Sequence, residues 1–306
     1  MGRDPTTWAG IIPPMVTPFR AEDETVDQRA LAGEVEYLIA AGVQGICVTG
    51  STGEGATVTV AEAAAIARVA VAQARGRVPV IAGIIQNSTR LVREYGEAVR
   101  AAGVDGLQVT PVHYLFAPDA DATVDYYRSV AALGLPVIIY NVIPWAFLEP
   151  PVLVRVMESV DAVVGVKQSG GDLHKLADLL VAAPPDKAIF SAVDDLLYPS
   201  FVLGARGSIS AIVSVLPRTA LKLWEAVRAG RHDEALALHR LMLRVWRAVE
   251  GPNMPARIKV ALEYQGRPAG VARSPSARVT EADRAAIAEA LEAVRPVEGF
   301  AAVARA

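Results

Sequence analysis

The stretch LPVIIYNV at residues 135–142 and the stretch AVVGVKQS at 162–169 are short, rich in Val and Ile, and separated by a single intervening segment. Apolar runs of that length without polar alternation read as strands covered on both faces, the mark of parallel sheet held between helices. Outward from this pair the same kind of run recurs: IIPPMVTP (11–18), GICVTG (45–50), VPVIAGI (78–84), GLQVTP (106–111), KAIFSA (187–192) and GSISAIV (207–213). Helical patterns such as QRALAGEVEYLIAAG and ATVDYYRSVAALG lie between them and end at a glycine suited to a helix C-cap. Strand–helix units in this number predict an α/β fold, a (β/α)8 TIM barrel. An open doubly wound sheet is the rival, but no dinucleotide loop follows the first run, which favours closure.

The strand runs stop after about Gly230. Residues 232–249, 254–264 and 280–295 carry helical periodicity, so the chain is expected to divide into a barrel with the active site (1–230) and a C-terminal three-helix extension (231–306). The extension reads as a surface cap or an oligomer contact. A net charge of -3 and the lack of a basic run argue against nucleic acid as a partner. No apolar stretch is long enough for a membrane span, and the start MGRDPTTWAG has no apolar signal core, so the expected compartment is the cytoplasm. The one cysteine, Cys47, sits in an apolar run and reads as a buried free thiol. Of the 30 basic residues only five are lysine, at 167, 175, 187, 222 and 259, so a lysine in an apolar setting stands out.

In a barrel, chemistry sits where strands end at the C-terminal face. Lys167 closes an apolar run and precedes a glycine turn. Where water is kept away the charged amine is disfavoured, and a neutral amine is a nucleophile able to form an imine with a carbonyl compound. Snorkelling or an ion pair is the bland alternative. Tyr140 ends another aliphatic run, and a phenol there is able to relay protons; alone, it reads equally as a half-buried Tyr with one partner. The loop Thr49–Glu54 (TGSTGE) has glycines that let successive N–H groups face an anion, with the Ser51 and Thr52 hydroxyls beside them. It lacks the lysine of a phosphate loop. Asp194 and Asp195 read as helix caps, His174 as solvent-facing, and His232 and His239 as too far apart for a metal pair, so no metal is expected.

With these motifs in place the chain resembles the dihydrodipicolinate synthase/N-acetylneuraminate lyase family of class I pyruvate lyases. The resemblance spans nearly the whole chain, through Val16–Phe19, Gly50–Glu54, Val109–Pro111, Tyr140–Val142, Gly165–Lys167 and Gly251–Asn253. It implies that Lys167 is the Schiff-base lysine, that Tyr140 is the proton relay, and that Gly50, Ser51, Thr52 and Gly53 hold the substrate carboxylate. It implies further that Ile209 lines the pocket, that no cofactor is needed, and that the assembly is a homotetramer, a dimer of dimers.

Two departures bear on the substrate. Synthases proper carry an arginine shortly after the Tyr-Asn-Val motif, for the carboxylate of aspartate semialdehyde; here residues 143–148 read IPWAFL. Without a guanidinium a second carboxylate has no bidentate partner, and Trp145 and Phe147 suggest a less charged or bulkier distal group. His113 stands where a relay tyrosine is expected, with Tyr114 next to it, and a histidine is able to act as acid or base. Gln168 replaces the family's usual acid. The expected activity is therefore a lyase acting on a 2-oxo acid, a pyruvate-releasing aldolase or a 2-keto-3-deoxy acid dehydratase, with catalytic Lys167, Tyr140, Ser51 and His113 and a substrate-binding Trp145. The rivals are a true dihydrodipicolinate synthase and a non-catalytic 2-oxo-acid sensor.

Overall fold

A computed structural model describes residues 4–114 and 117–301. Residues 1–3 of the start expected to lack a secretory signal, and 302–306 of the expected extension, lie outside the described residues. Eight parallel strands form one sheet in the order β1-β8-β7-β6-β5-β4-β3-β2. They are β1 (Gly10–Ile11), β2 (Ile46–Val48), β3 (Val80–Ile84), β4 (Gly106–Val109), β5 (Val137–Asn141), β6 (Val163–Gln168), β7 (Ala188–Ser191) and β8 (Gly207–Ser208). The barrel closes where Pro14 bridges Cys47 in parallel, with Met15 N donating to the Cys47 carbonyl and Cys47 N to that of Pro13. The first strand is far shorter than the run at 11–18 predicts. Pro13 and Pro14 have no N–H to give a ladder, so regular pairing ends at Ile11 and only the bridge continues.

Helices alternate with the strands: α1 (Gln28–Ala41), α2 (Val60–Ala74), α3 (Thr89–Ala101), α4 (Ala120–Ala131), α5 (Pro150–Ser159), α6 (Leu173–Ala182), α7 (Leu197–Val202), α8 (Ile212–Val215) and α9 (Pro217–Arg228). Gly42 ends α1 in the left-handed region, as expected of a C-cap glycine. Side chains on alternate strand positions divide between two cores. Val80, Ala82, Ile84, Leu107, Val109, Val137 and Ile139 face the helices, while Ile12, Cys47, Ile81, Ile138, Phe190 and Ile209 fill the barrel. Each such fully buried aliphatic side chain contributes ~1.5–3 kcal/mol relative to exposure. Trp8 lies against Gly106 and closes the barrel floor.

Beyond α9 come α10 (His232–Val249), α11 (Met254–Tyr264), α12 (Glu281–Glu292) and α13 (Arg295–Glu298). Their apolar faces share one cluster with α7, α8, α9 and Ile11. These helices are thus continuous with the packing of the barrel wall. No helix among the described residues is long and apolar enough to cross a membrane.

Candidate active site

Lys167 is the penultimate residue of β6, with only 4% of its surface exposed, and its Nζ lies 3.9 Å from the centre of the Tyr140 ring. The two residues are paired across β5 and β6, Tyr140 opposite Lys167, so the register of two central strands sets the approach. The Tyr140 hydroxyl donates to Ser51 Oγ at 2.8 Å. Three residues from three strand ends are therefore brought together at the C-terminal face of the sheet.

The loop carrying Ser51 is bent at both ends. Thr49 and Glu54 each have φ 55°, a left-handed conformation that residues with a side chain adopt only when held. Thr49 is held by its hydroxyl donating to the Gly83 carbonyl at 2.8 Å. Gly83 is required here, because a Cβ on it would sit 2.8 Å from Gly50 N and Cα. Inside the loop Glu54 N donates to Ser51 O and Gly55 N to Gly50 O. The amides of Ser51 and Thr52 meet no acceptor among the described residues. Thr17 donates to Gly53 O at 2.7 Å, which gives the Val16–Phe19 motif a physical task beneath the loop.

Glu54 is anchored from the far end of the chain. Lys259, on α11 and 2% exposed, donates to Glu54 Oε1 at 2.6 Å and to Val271 O at 2.6 Å, and Arg273 N donates to Glu54 Oε2 at 2.8 Å. The Lys259 amine and the Arg273 guanidinium lie 4.6 and 4.0 Å from the centre of the Phe19 ring. Burial lowers the Lys259 pKa, and the Glu54 charge opposes that shift. Neither Lys259 nor Arg273 was singled out as part of the site in the sequence, since their partner lies more than 200 positions away.

The lip is built from the segment after β5. Asn141 Nδ2 donates to Leu148 O and to Gln168 Oε1, and its Oδ1 accepts from Leu148 N, so one buried amide staples residues 143–148 to β6. Phe147 is half-buried against Gly170, whereas Trp145 is 72% exposed and its indole N–H donates to His113 O at 2.8 Å. The His113 ring is engaged within its own turn, Nδ1 3.1 Å from Pro111 O. Asn87 Oδ1 accepts from His113 N at 3.4 Å and from Tyr114 N at 2.9 Å. His113 and Trp145 are thus joined to each other at the lip, and Ser51 is the group that meets Tyr140. Ile209 is fully buried inside the barrel beside Cys47 and Ile138. Cys47 is a buried thiol whose pKa burial pushes up to about 11.

Asp194 and Asp195 do not cap α7, the helix after β7 that the sequence assigns to them; Asp194 takes the first amide of α8 instead. α7 begins after Leu196 without a side-chain cap; Asp194 Oδ1 accepts from Ile212 N at 2.6 Å and Asp195 pairs with Arg247 at 2.9 Å. A more distant helix end takes Asp194 and the Arg247 guanidinium takes Asp195, so neither serves α7. Burial raises Asp194 to about 7, opposed by the Ile212 N–H and by the charge of Lys167. Past β6 a recess of about 490 Å³ opens, lined by Gly170, Gly171, Asp172, Leu173, His174 and Leu196. His174 is exposed there, as expected. Among the described residues no group of His, Cys, Asp and Glu is arranged to hold a metal.

Residues 7–294 match the model of the dihydrodipicolinate synthetase family. A 4-hydroxy-tetrahydrodipicolinate synthase of Methanospirillum hungatei is 31% identical over 89% of this chain and 94% of its own length. An uncharacterized DapA-like lyase of Halobacterium salinarum is 34% identical over 93% of both chains. Among solved structures, the prophage protein YagE of E. coli K12, in complex with pyruvate, superposes with a TM-score of 0.89 at 28% identity, covering 94% of this chain and 99% of that one. Dihydrodipicolinate synthase DapA-2 of Bacillus anthracis gives 0.88 at 30% identity, covering 93% and 97%.

Proposed function

Because the chain belongs to the dihydrodipicolinate synthetase family of Schiff-base lyases, we propose that it cleaves or dehydrates a 2-oxo acid through an imine on Lys167. The observation that carries this reading is the buried Lys167 amine against Tyr140, whose hydroxyl meets Ser51. The substrate carboxylate rests on the free amides of Ser51 and Thr52, between Gly50 and Gly53, with Ile209 on the opposite wall. Lys167 gives up a proton and its amine adds to C2, Tyr140 and Ser51 pass a proton to the carbinolamine hydroxyl, which leaves as water, and a cationic imine results. His113 at the lip links that relay to solvent. The imine then takes up the electron pair of a breaking C3–C4 bond, the C4 hydroxyl proton passing to the Tyr140 oxygen, or of a C3–H bond whose proton passes to the same oxygen, and an enamine results. In the first case an aldehyde leaves and protonation at C3 followed by hydrolysis gives pyruvate; in the second a C4 hydroxyl departs as water. Hydrolysis returns the free amine.

The lip supports this choice over condensation with aspartate semialdehyde. Residues 143–148 hold no cationic side chain, and Trp145 stands at the entrance, so a second carboxylate has no bidentate partner there. A neutral, hydroxylated distal group suits Trp145 and the recess past β6 better. In this reading residues 1–230 house the chemistry, residues 231–306 brace it, and the enzyme is a cytoplasmic homotetramer.

Borohydride reduction in the presence of pyruvate tests the imine. The expected result is a mass gain on the peptide containing Lys167, absent in Lys167→Ala. A panel of aldols and 2-keto-3-deoxy acids, followed by lactate dehydrogenase coupling and by total 2-oxo-acid loss, then separates aldolase from dehydratase. Adduct without turnover of any member points to a sensor, and no adduct with any 2-oxo acid sinks the reading.

A further inference from the structure

Gln108 is a fully buried amide in the middle of β4. Its neighbours Leu107 and Val109 face the helices, so strand alternation turns Gln108 into the barrel, where it is paired with Gly83 on β3 and Ile138 on β5. Among the described residues neither Nε2 nor Oε1 has a hydrogen-bond partner. A carboxamide has two donors and an acceptor oxygen, and leaving all of them without a protein partner inside a core is a standing penalty that cores avoid. Natural sequences tolerate such a violation mainly where a ligand repays it.

The direction of the side chain says which ligand. A methyl group placed on Gly50 would lie 3.7 Å from Gln108 Nε2 and 3.9 Å from Cys47 Sγ. Gly50 begins the loop whose Ser51 and Thr52 amides are free, so the amide end of Gln108 underlies the anion cradle. Ile138, its partner on β5, stands two positions before Tyr140, which puts Gln108 one layer below the reacting groups.

We infer that Gln108 is a substrate-binding residue: its Nε2 donates to the carboxylate of the 2-oxo acid from beneath the Gly50–Glu54 loop and sets the affinity for that acid. The inference rests on the imine reading above and adds to it a donor that the loop alone does not supply. A neutral donor suits that depth, because an unpaired cation buried there costs far more than a buried amide.

The test compares wild type with Gln108→Met, which keeps length and volume and removes both polar ends. Borohydride trapping is titrated with pyruvate and with methyl pyruvate, which keeps the ketone and loses the negative charge. The expected result is a melting temperature equal to or above wild type, an about tenfold higher pyruvate concentration for half-maximal trapping, and an unchanged value for the ester. Equal titrations for the two proteins, or an equal shift for pyruvate and its ester, overturns the assignment. So does a lower melting temperature with pyruvate unaffected, the result expected if the amide only serves the fold. If the Met variant folds poorly, Gln108→Leu is read by the same criteria. Wild type that traps no 2-oxo acid overturns the imine reading as well; wild type that traps while Gln108→Met traps equally overturns this assignment alone.

Discussion

At the scale of single residues, the site depends on hydroxyl and carboxyl groups held beside one amine. Tyr140→Phe removes the proton that Ser51 accepts while keeping the ring face toward Lys167. Turnover should fall about 10²–10⁴-fold, the usual contribution of a positioned acid–base group, with slow borohydride trapping retained. Loss of trapping and turnover together would show that the ring, not the hydroxyl, matters. Asp194 gives a second prediction. Its carboxyl is raised from 3.8 to about 7 in the folded chain, so the protonated form is the one the fold prefers. The associated stability is fully present below the ordinary carboxylate range and is lost as pH rises toward about 7. Asp194→Asn, followed by thermal melts across that window, should show a flatter dependence on pH than wild type; an identical slope would mean that Asp194 carries no such penalty. Lys167, Tyr140 and Ser51 were legible in the sequence because each interrupts an apolar run or follows its end. Asp194 was not, since a carboxylate before a helix obeys the local capping rule whether or not the helix uses it.

At the scale of elements, the main device is the clamp on the Gly50–Glu54 loop. Glu54 and Lys259 are both buried, and removing one partner leaves the other charge without compensation, a loss of about 3–5 kcal/mol. Glu54→Gln and Lys259→Met should therefore each lower the denaturation midpoint. The double variant should recover part of that loss while its affinity for the 2-oxo acid stays poor. Additive losses in the double variant would mean that the two groups do not act as a pair. The sequence yielded the strand positions through their uniform apolar character, and the eight units through their recurrence. It did not yield the short β1, because Pro13 and Pro14 sit in a run that is otherwise a good strand. Nor did it yield the clamp, since periodicity finds the apolar face of α11 and is silent about the partner of its lysine. The Tyr140-Asn141-Val142 motif was read for its phenol; Asn141 proves to be the staple that shapes the lip.

At the scale of the whole molecule, the exposed Tyr114 at 66% and Trp145 at 72% leave two aromatic surfaces beside the entrance. The homotetramer reading predicts that light scattering on a sizing column gives about four times the 32.3 kDa chain mass. A monomer at micromolar concentration would remove that reading without touching the chemistry. The helices after Gly230 share an apolar cluster with the wall, and Lys259 on α11 supplies part of the clamp. That clamp has a consequence during synthesis. The groups that hold Glu54 are separated from it by 205 and 219 positions. A nascent chain on the ribosome can pair its early strands and bury their aliphatic residues, but the anion cradle stays unbraced until Arg273 has left the exit tunnel. Under the function proposed above, a translation product that ends before Lys259 carries Lys167 and the Gly50–Glu54 loop without the groups that brace Glu54.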